Sequence, residues 1–330
     1  MKLQKIVERL QKLHPKEIDL SLERTRNLLE KLGNPQDHIN CISVVGTNGK
    51  FSTIQALHAI LKEANYKCNI YTSPHIKIIN ERFVFNNKPL SDNELAHLFS
   101  EIEEANNGTQ ITFFEILTVA YLHYAKKYPK NINLIESGLF HRFDATNILK
   151  KNLASIVTAI GLDHLDWLPK EEQTIEKIIF EKTSTLLNSK IIVAKQSSNE
   201  INKSIENTIK NNSSKKIIFN KNYSFTLKEN DFFYFEDEFG ALKLPKPNLF
   251  GEFQLENIST AIATARQLTE FRIADEHIKI GITKIESIAR LQELKSGKLK
   301  DLAKNNLLFV DGSHNPLGCL LYTSPSPRDG

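Results

Sequence analysis

The sequence predicts an α/β protein built on a mainly parallel, twisted sheet with helices on both faces. Three observations predict it: short apolar runs of strand type recur along the chain, helix-compatible stretches separate most of them, and polar residues follow each run at once. Ligands of such sheets sit beyond the carboxyl ends of the strands, so those polar residues are the first candidates for a site.

The elements follow in order. Residues 1–13 alternate Lys, Gln and Glu with apolar side chains and read as an amphipathic helix, without the continuous apolar core of a signal peptide. Residues 41–45 form a strand-like run, Gly46 and Gly49 allow a tight turn, and Ile54, Leu57, Ile60 and Leu61 then share one helical face. A strand, a glycine turn and a helix start hold phosphate anions well, with Lys50 as a point charge and Ser52 or Thr53 offering a hydroxyl to Mg²⁺. The match to G-x-x-x-x-G-K-[ST] is imperfect. Val44 stands where the first glycine belongs and Phe51 where the hydroxyl belongs, and a plain surface turn is the competing reading.

Further strand runs at 68–71, 132–135, 154–160 and 191–194 alternate with helical stretches. The first three lead into Ser73 and His75, into Glu136, and into Asp163 and His164. Across 222–244 the pattern changes to alternation, with Phe225, Leu227, Phe232, Tyr234 and Phe235, which predicts a small antiparallel hairpin appended to the sheet. Residues 307–311, followed by Gly312, Ser313, His314 and Asn315, read as the opening of a second, Rossmann-like α/β domain.

Composition bounds the function. A chain of 330 residues with 40% apolar content has ample core and a prior of two domains. The net charge of +4, from 43 basic and 39 acidic residues, is too small a field to point to nucleic acid. The three cysteines lack metal-ligand spacing and are too few for a disulfide scaffold, so a reducing cytoplasm is expected. No apolar run is long enough to span a membrane.

Taken together, the loops resemble the folylpolyglutamate synthases and bifunctional dihydrofolate synthases of the Mur ligase superfamily. Gly46, Thr47, Asn48, Gly49 and Lys50 look like the family's phosphate loop; Tyr71, Ser73 and His75, with Asn80, Glu81 and Arg82, look like its second loop. Glu136 and Gly138 with Arg142, Asp144 and Asn147, then Gly161 with His164 and Asp166, Glu181 with Lys182, Arg290 with Gln292, and Asp311 with His314 and Pro316 continue the series in the family's order. The resemblance implies a Mur ligase central domain and an ATP-dependent amide ligase that uses Mg²⁺ and proceeds through an acyl phosphate displaced by L-glutamate.

It also implies residue roles. Thr47, Asn48, Gly49, Lys50, Ser52, Asn257, Arg290 and Asp311 would hold the nucleotide, and Ser73, Glu136 and His164 would hold Mg²⁺. Lys182 would carry a carbamate, and Lys50, Lys182 and His314 would serve catalysis. Ile18, Asp19, Thr112, Phe113, Phe114, Glu115, Phe143, Asp144 and Ala145 match positions that contact the pterin of dihydropteroate or folate. A cytoplasmic monomer without nucleic-acid or membrane partners is the family-based expectation. Blander roles exist for many of these: helix cap for Ser73 or Asp19, strand end for Glu136, core histidine for His164, solvated cation for Lys182, surface position for Asn257, linker charge for Arg290.

The chain departs from the family at Phe51, where glycine is usual, and at Phe140 and His141, where two glycines are usual. Bulk there is expected to narrow the loop or to replace a mobile glycine loop by an aromatic wall, with Mg-ATP binding retained through Gly46, Gly49, Lys50 and Ser52. The expected organisation is an ATP-binding domain over 1–289 and the start of a second ligase domain over 290–318. Residues 319–330 match the translation of a transposase adapter used in preparing sequencing libraries, and this chain is expected to turn over poorly by itself. Competing functions are a monofunctional folylpolyglutamate synthase, a phosphate-loop small-molecule kinase and a non-catalytic nucleotide binder.

Overall fold

In a computed structural model, residues 3–14, 21–228 and 232–319 are described; Ile18, Asp19 and the tail from 320 onward lie outside them. The elements in chain order are α1 (Leu3–Lys12), α2 (Glu23–Lys31), β1 (Asn40–Val45), α3 (Lys50–Glu63), β2 (Cys68–Tyr71), β3 (Phe83–Phe85), β4 (Lys88–Pro89), α4 (Asp92–Asn106), α5 (Phe113–Ala125), β5 (Ile132–Glu136), β6 (Ala154–Val157), α6 (Ile175–Thr183), β7 (Lys190–Val193), α7 (Asn199–Ile209), β8 (Lys215–Ile218), β9 (Tyr223–Lys228), β10 (Phe232–Asp237), β11 (Gly240–Pro245), α8 (Glu252–Gln267), α9 (Asp275–Gly281), β12 (Gln292–Glu293), α10 (Lys298–Ala303), β13 (Phe309–Val310) and α11 (Pro316–Cys319).

The main sheet has the order β4-β3-β2-β5-β1-β6-β7-β8. Its six strands from β2 to β8 are parallel, and β3 and β4 add an antiparallel edge. Alternate residues of each strand feed opposite faces, as the pleat requires. Ile42, Val44, Ile70, Leu134, Ile156 and Ile192 join the core formed with α3, α8 and α9. Cys41, Tyr71 and Ile135 face the core of α1, α2, α4 and α5, while Val45, Val157 and Val193 face that of α6 and α7. Burial on both faces is why these strands are almost continuously apolar.

Capping explains where two helices begin. In α4 the Ser91 hydroxyl accepts from the Glu94 amide while the Glu94 carboxylate accepts from the Ser91 amide, and Thr112 with Glu115 repeats the arrangement in α5. The α3 start, by contrast, carries no side-chain cap.

Three segments differ in detail from expectation. The small antiparallel appendage expected over 222–244 is present, with three strands in place of a hairpin's two: β9, β10 and β11 form a sheet of their own, whose Phe233, Phe235 and Leu244 pack into the α3/α8 core. The strand expected over 154–160 stops at Val157, because the Ala159 carbonyl turns away to accept from the Thr47 and Asn48 amides at 2.9 and 3.1 Å. The strand expected over 307–311 shrinks to β13, which pairs antiparallel with β12.

Candidate active site

The register of the sheet assembles the site. Val44 of β1 lies opposite Glu136 of β5, and Val45 lies opposite Val157 of β6, so the three strands deliver their next residues to one carboxyl edge. The loop leaving β1 needs two glycines. At Gly46, with φ of 144°, a Cβ would lie 2.0 Å from Thr158 Oγ1, and at Gly49, with φ of 86°, it would lie 2.2 Å from Asn257 Oδ1.

Thr47 and Asn48 brace this loop. Their amides are spent on Ala159, the Thr47 hydroxyl exchanges hydrogen bonds with the carbonyl and amide of Gly161 at 3.1 Å each, and the Asn48 side chain is held by Asn315. Among the described residues the amides of Gly49, Lys50, Phe51 and Ser52 receive no protein acceptor. They form the uncapped positive end of a 14-residue helix, a natural seat for an anion. Ser52 is buried beneath, its hydroxyl 3.5 Å from that of Ser287.

Two lysines converge on the loop. Lys50 Nζ donates to the carbonyls of Gly46 at 3.1 Å and Thr47 at 3.0 Å, and Lys182 Nζ, from the last turn of α6, donates to Gly46 at 3.1 Å and Leu139 at 2.9 Å. Burial pushes the Lys50 ammonium below its ordinary range, with Glu136 and Asp163 pulling back. Burial, aided by the charge of Lys50, brings Lys182 down to about 7. The Phe140 ring, with its centroid 5.5 Å from Lys182 Nζ, lies in the core with Val45 and Val157. His141 is buried against the Ser137 hydroxyl at 3.1 Å and is pushed to about 4 by burial and by Lys182. The aromatic wall expected at this loop is therefore a buried one.

Glu136 is buried, and one carboxylate oxygen accepts from the Ser73 amide at 3.0 Å. Desolvation raises its pKa, opposed by Lys50 and by Arg290 and Arg82. Neighbouring Glu81 accepts from the amides of Ile76, Lys77 and Ile78 at 2.7, 2.9 and 2.9 Å and so shapes the loop that carries Ser73. His164 sits in left-handed backbone (φ 56°), exposed beside Phe140, and partial desolvation holds its imidazole neutral to lower pH. No group of three His, Cys, Asp or Glu side chains able to hold a metal occurs among the described residues. A buried carboxylate, a serine hydroxyl and an imidazole held neutral are donor types that would suit Mg²⁺, whose remaining ligands would be phosphate oxygens and water.

The C-terminal residues reach the same edge. Asn257 is buried, its amide donating to Gln254 Oε1 at 3.0 Å. Asp311 accepts from the amides of Leu291 and Ser313, both at 2.6 Å, and exposed His314 hydrogen-bonds the Gly312 carbonyl at 2.9 Å. Thr158 was not foreseen as a site neighbour, and Asn315 was read only as part of the loop that follows residues 307–311. Thr158 under Gly46 and Asn315 on Asn48 act by packing across more than a hundred residues of chain, which no local pattern records, whereas Gln254 lies three residues from Asn257 on α8.

A cavity of about 520 Å³ opens beside this edge, lined by Thr112, Phe113, Phe114, Glu115, Phe143, Asp144, Ala145 and His164. It collects every described residue expected at the pterin. Asp144 is buried, accepting from the Gly138 and Thr146 amides at 2.9 Å each, and desolvation raises it to about 6. Arg24, Arg82 and Trp167 also line the cavity, and of these Trp167 was not foreseen; Arg24 pairs with Glu115 at 3.0 Å. A slightly larger hollow of about 580 Å³ lies between β9, β10 and the start of α8, lined by none of the expected site residues. The titratable groups assign the chemistry to the smaller cavity.

The Mur ligase middle-domain model matches residues 44–265. The Bacillus subtilis dihydrofolate synthase/folylpolyglutamate synthase is 31% identical over 314 residues, covering 90% of this chain and 70% of the relative. Among solved structures, Escherichia coli FolC in complex with DHPP and ADP superposes with a TM-score of 0.84 at 29% identity, over 96% of this chain and 72% of that one. The Yersinia pestis bifunctional folylpolyglutamate synthase/dihydrofolate synthase complexed with AMPPNP and Mn ion gives 0.83 at 28% identity, over 96% and 73%.

Proposed function

The chain belongs to the dihydrofolate synthase/folylpolyglutamate synthases of the Mur ligase family, and on that premise we propose that it joins L-glutamate to dihydropteroate and to tetrahydrofolate at the expense of ATP. One observation carries this reading: the phosphate loop, a half-buried and a buried lysine and a buried carboxylate stand beside a cavity with aromatic walls and an anchored carboxyl group.

The cavity would take the flat heterocycle, with Phe114 along its face and Asp144 accepting from ring N–H donors. The open amides of 49–52 and Lys50 would hold the phosphates. A carboxylate oxygen of the substrate attacks the γ-phosphorus, the bond to the β-γ bridging oxygen breaks, and ADP leaves. The glutamate amine then attacks the acyl carbon, loses its proton, and phosphate departs with the shared oxygen. Two anions must meet in the first step, so the work of this chain is charge neutralisation and alignment. Mg²⁺, when bound, would be held by Ser73, Glu136 and His164 and would supply further positive charge. Lys182, with its amine partly neutral near pH 7, is suited to take up CO₂ as a carbamate.

The reading extends to organisation. A boundary near Arg290 separates residues 1–289 from the β12/β13 unit, and the protein acts as a cytoplasmic monomer. Among the described residues no helix is long and apolar enough to cross a membrane. The test is phosphate release by the full product of the gene with ATP, Mg²⁺, dihydropteroate and glutamate. Release that needs both dihydropteroate and glutamate is expected; release indifferent to glutamate would replace the ligase by a kinase.

A further inference from the structure

Lys50 is followed by Phe51, whose ring lies half-buried at the second position of α3. The Arg290 guanidinium carbon sits 5.6 Å from its centroid, inside the roughly 6 Å reach of a cation–π contact. Gly312 borders the same guanidinium, and a Cβ there would lie 2.6 Å from Arg290 Nη1. Ring and glycine thus form a slot for one planar cation.

The backbone carrying Arg290 is fixed on both flanks. Ala289 and Leu291 have φ of 51° and 48°, which non-glycine residues rarely adopt. Hydrogen bonds hold the turn: the Gly312 amide to Ala289 O at 2.9 Å, the Ala289 amide to Gln292 Oε1 at 2.9 Å, and the Leu291 amide to Asp311 at 2.6 Å. The guanidinium itself is barely engaged, with one contact of 3.5 Å to Ala289 O among the described residues. Its charge is felt at both Lys50 and Glu136. An over-determined turn with unspent donors suits a group that waits for an anion.

We propose that Phe51 is a positioning residue: its ring holds the Arg290 guanidinium at the mouth of the phosphate loop, with the N–H donors directed to a bound polyphosphate. The proposal rests on the nucleotide reading above. It makes the bulk at 51 a support for the arginine, not an obstruction of the loop.

Calorimetric titration of the 330-residue chain with Mg-ADP tests it, with thermal melts reporting the fold of each variant. Replacing Phe51 by Leu should weaken binding about 3- to 30-fold, and Phe51→Tyr should keep it within about 2-fold. In an Arg290→Ala background the effect of Phe51→Leu should vanish, which a merely structural role would not produce. Should the Leu variant not fold, Phe51→Met takes its place. Unchanged or tighter binding by Phe51→Leu or Phe51→Gly, or losses that simply add in the double variant, would overturn the proposal. No Mg-ADP binding by the wild-type chain would instead overturn the nucleotide reading itself.

Discussion

Lys50 and Lys182 both donate to the carbonyl of Gly46, each at 3.1 Å, although they stand more than a hundred residues apart. Two ammonium groups on one buried carbonyl repel each other, and burial disfavours both charges. Both ammonium groups are pushed below their ordinary range, Lys182 to about 7. On the proposed function, Lys50 would serve as the cation for phosphate and Lys182 as the amine that reacts.

The pH dependence of stability follows. The folded value of Lys182, about 7, lies below its ordinary 10.5, so the unfolded chain binds more protons between those values. Stability from this position should rise with pH across that window. Chemical denaturation of wild type and Lys182→Met from pH 6 to 10 should show the slope in the wild type and a flatter profile in the variant.

The same amine should react with CO₂. In ¹³C-bicarbonate at pH 8 a carbamate resonance is expected from the wild-type chain and not from Lys182→Met. A spectrum unchanged by the substitution would remove Lys182 from this role.

Asn48 and Asn315 exchange side-chain hydrogen bonds of 3.0 and 2.9 Å, and Asn315 also donates to Asp163 at 2.9 Å. Replacing Asn315 by Ala leaves buried polar partners unmet, a loss of about 1–3 kcal/mol. Because Asn48 belongs to the phosphate loop, Mg-ATP affinity should fall about 10-fold or more by calorimetry.

Asp144 carries a raised folded value of about 6 against an ordinary 3.8. The sign is opposite to the usual paired carboxylate: the folded chain binds the extra proton between these values, so stability from this group is present at low pH and lost as pH rises through about 6. Binding of dihydropteroate should run the other way, tightening from pH 5 to 7 as the carboxylate becomes an acceptor. Fluorescence titration should show that trend in the wild type and lose it in Asp144→Asn.

The Arg24–Glu115 pair, with side chains 19% and 8% exposed, closes one side of the cavity. Arg24→Met strands a nearly buried carboxylate, and a destabilisation of about 3 kcal/mol is expected in urea unfolding, together with weaker dihydropteroate binding.

The parallel strands were legible because burial on both faces leaves them apolar and short, as at residues 68–71 and 132–135. β8 was not, since Lys215 and Lys216 leave it only two apolar residues. The site residues were legible as types at strand ends, from Ser73 to His164. Their bracing was not, because Thr158 under Gly46, Asn315 on Asn48 and Arg290 against Phe51 are contacts between segments far apart in sequence. Nor does any pattern in residues 222–244 distinguish a strand pair on the main sheet from a separate sheet packed on α8.

The most direct measurement of the central claim is isotope transfer in the full product of the gene. Dihydropteroate labelled with ¹⁸O in its carboxylate is incubated with ATP, Mg²⁺ and glutamate, and the released phosphate is analysed by mass. An acyl-phosphate ligase transfers one labelled oxygen into each phosphate, whereas phosphate free of label, or phosphate released without regard to glutamate, would contradict it.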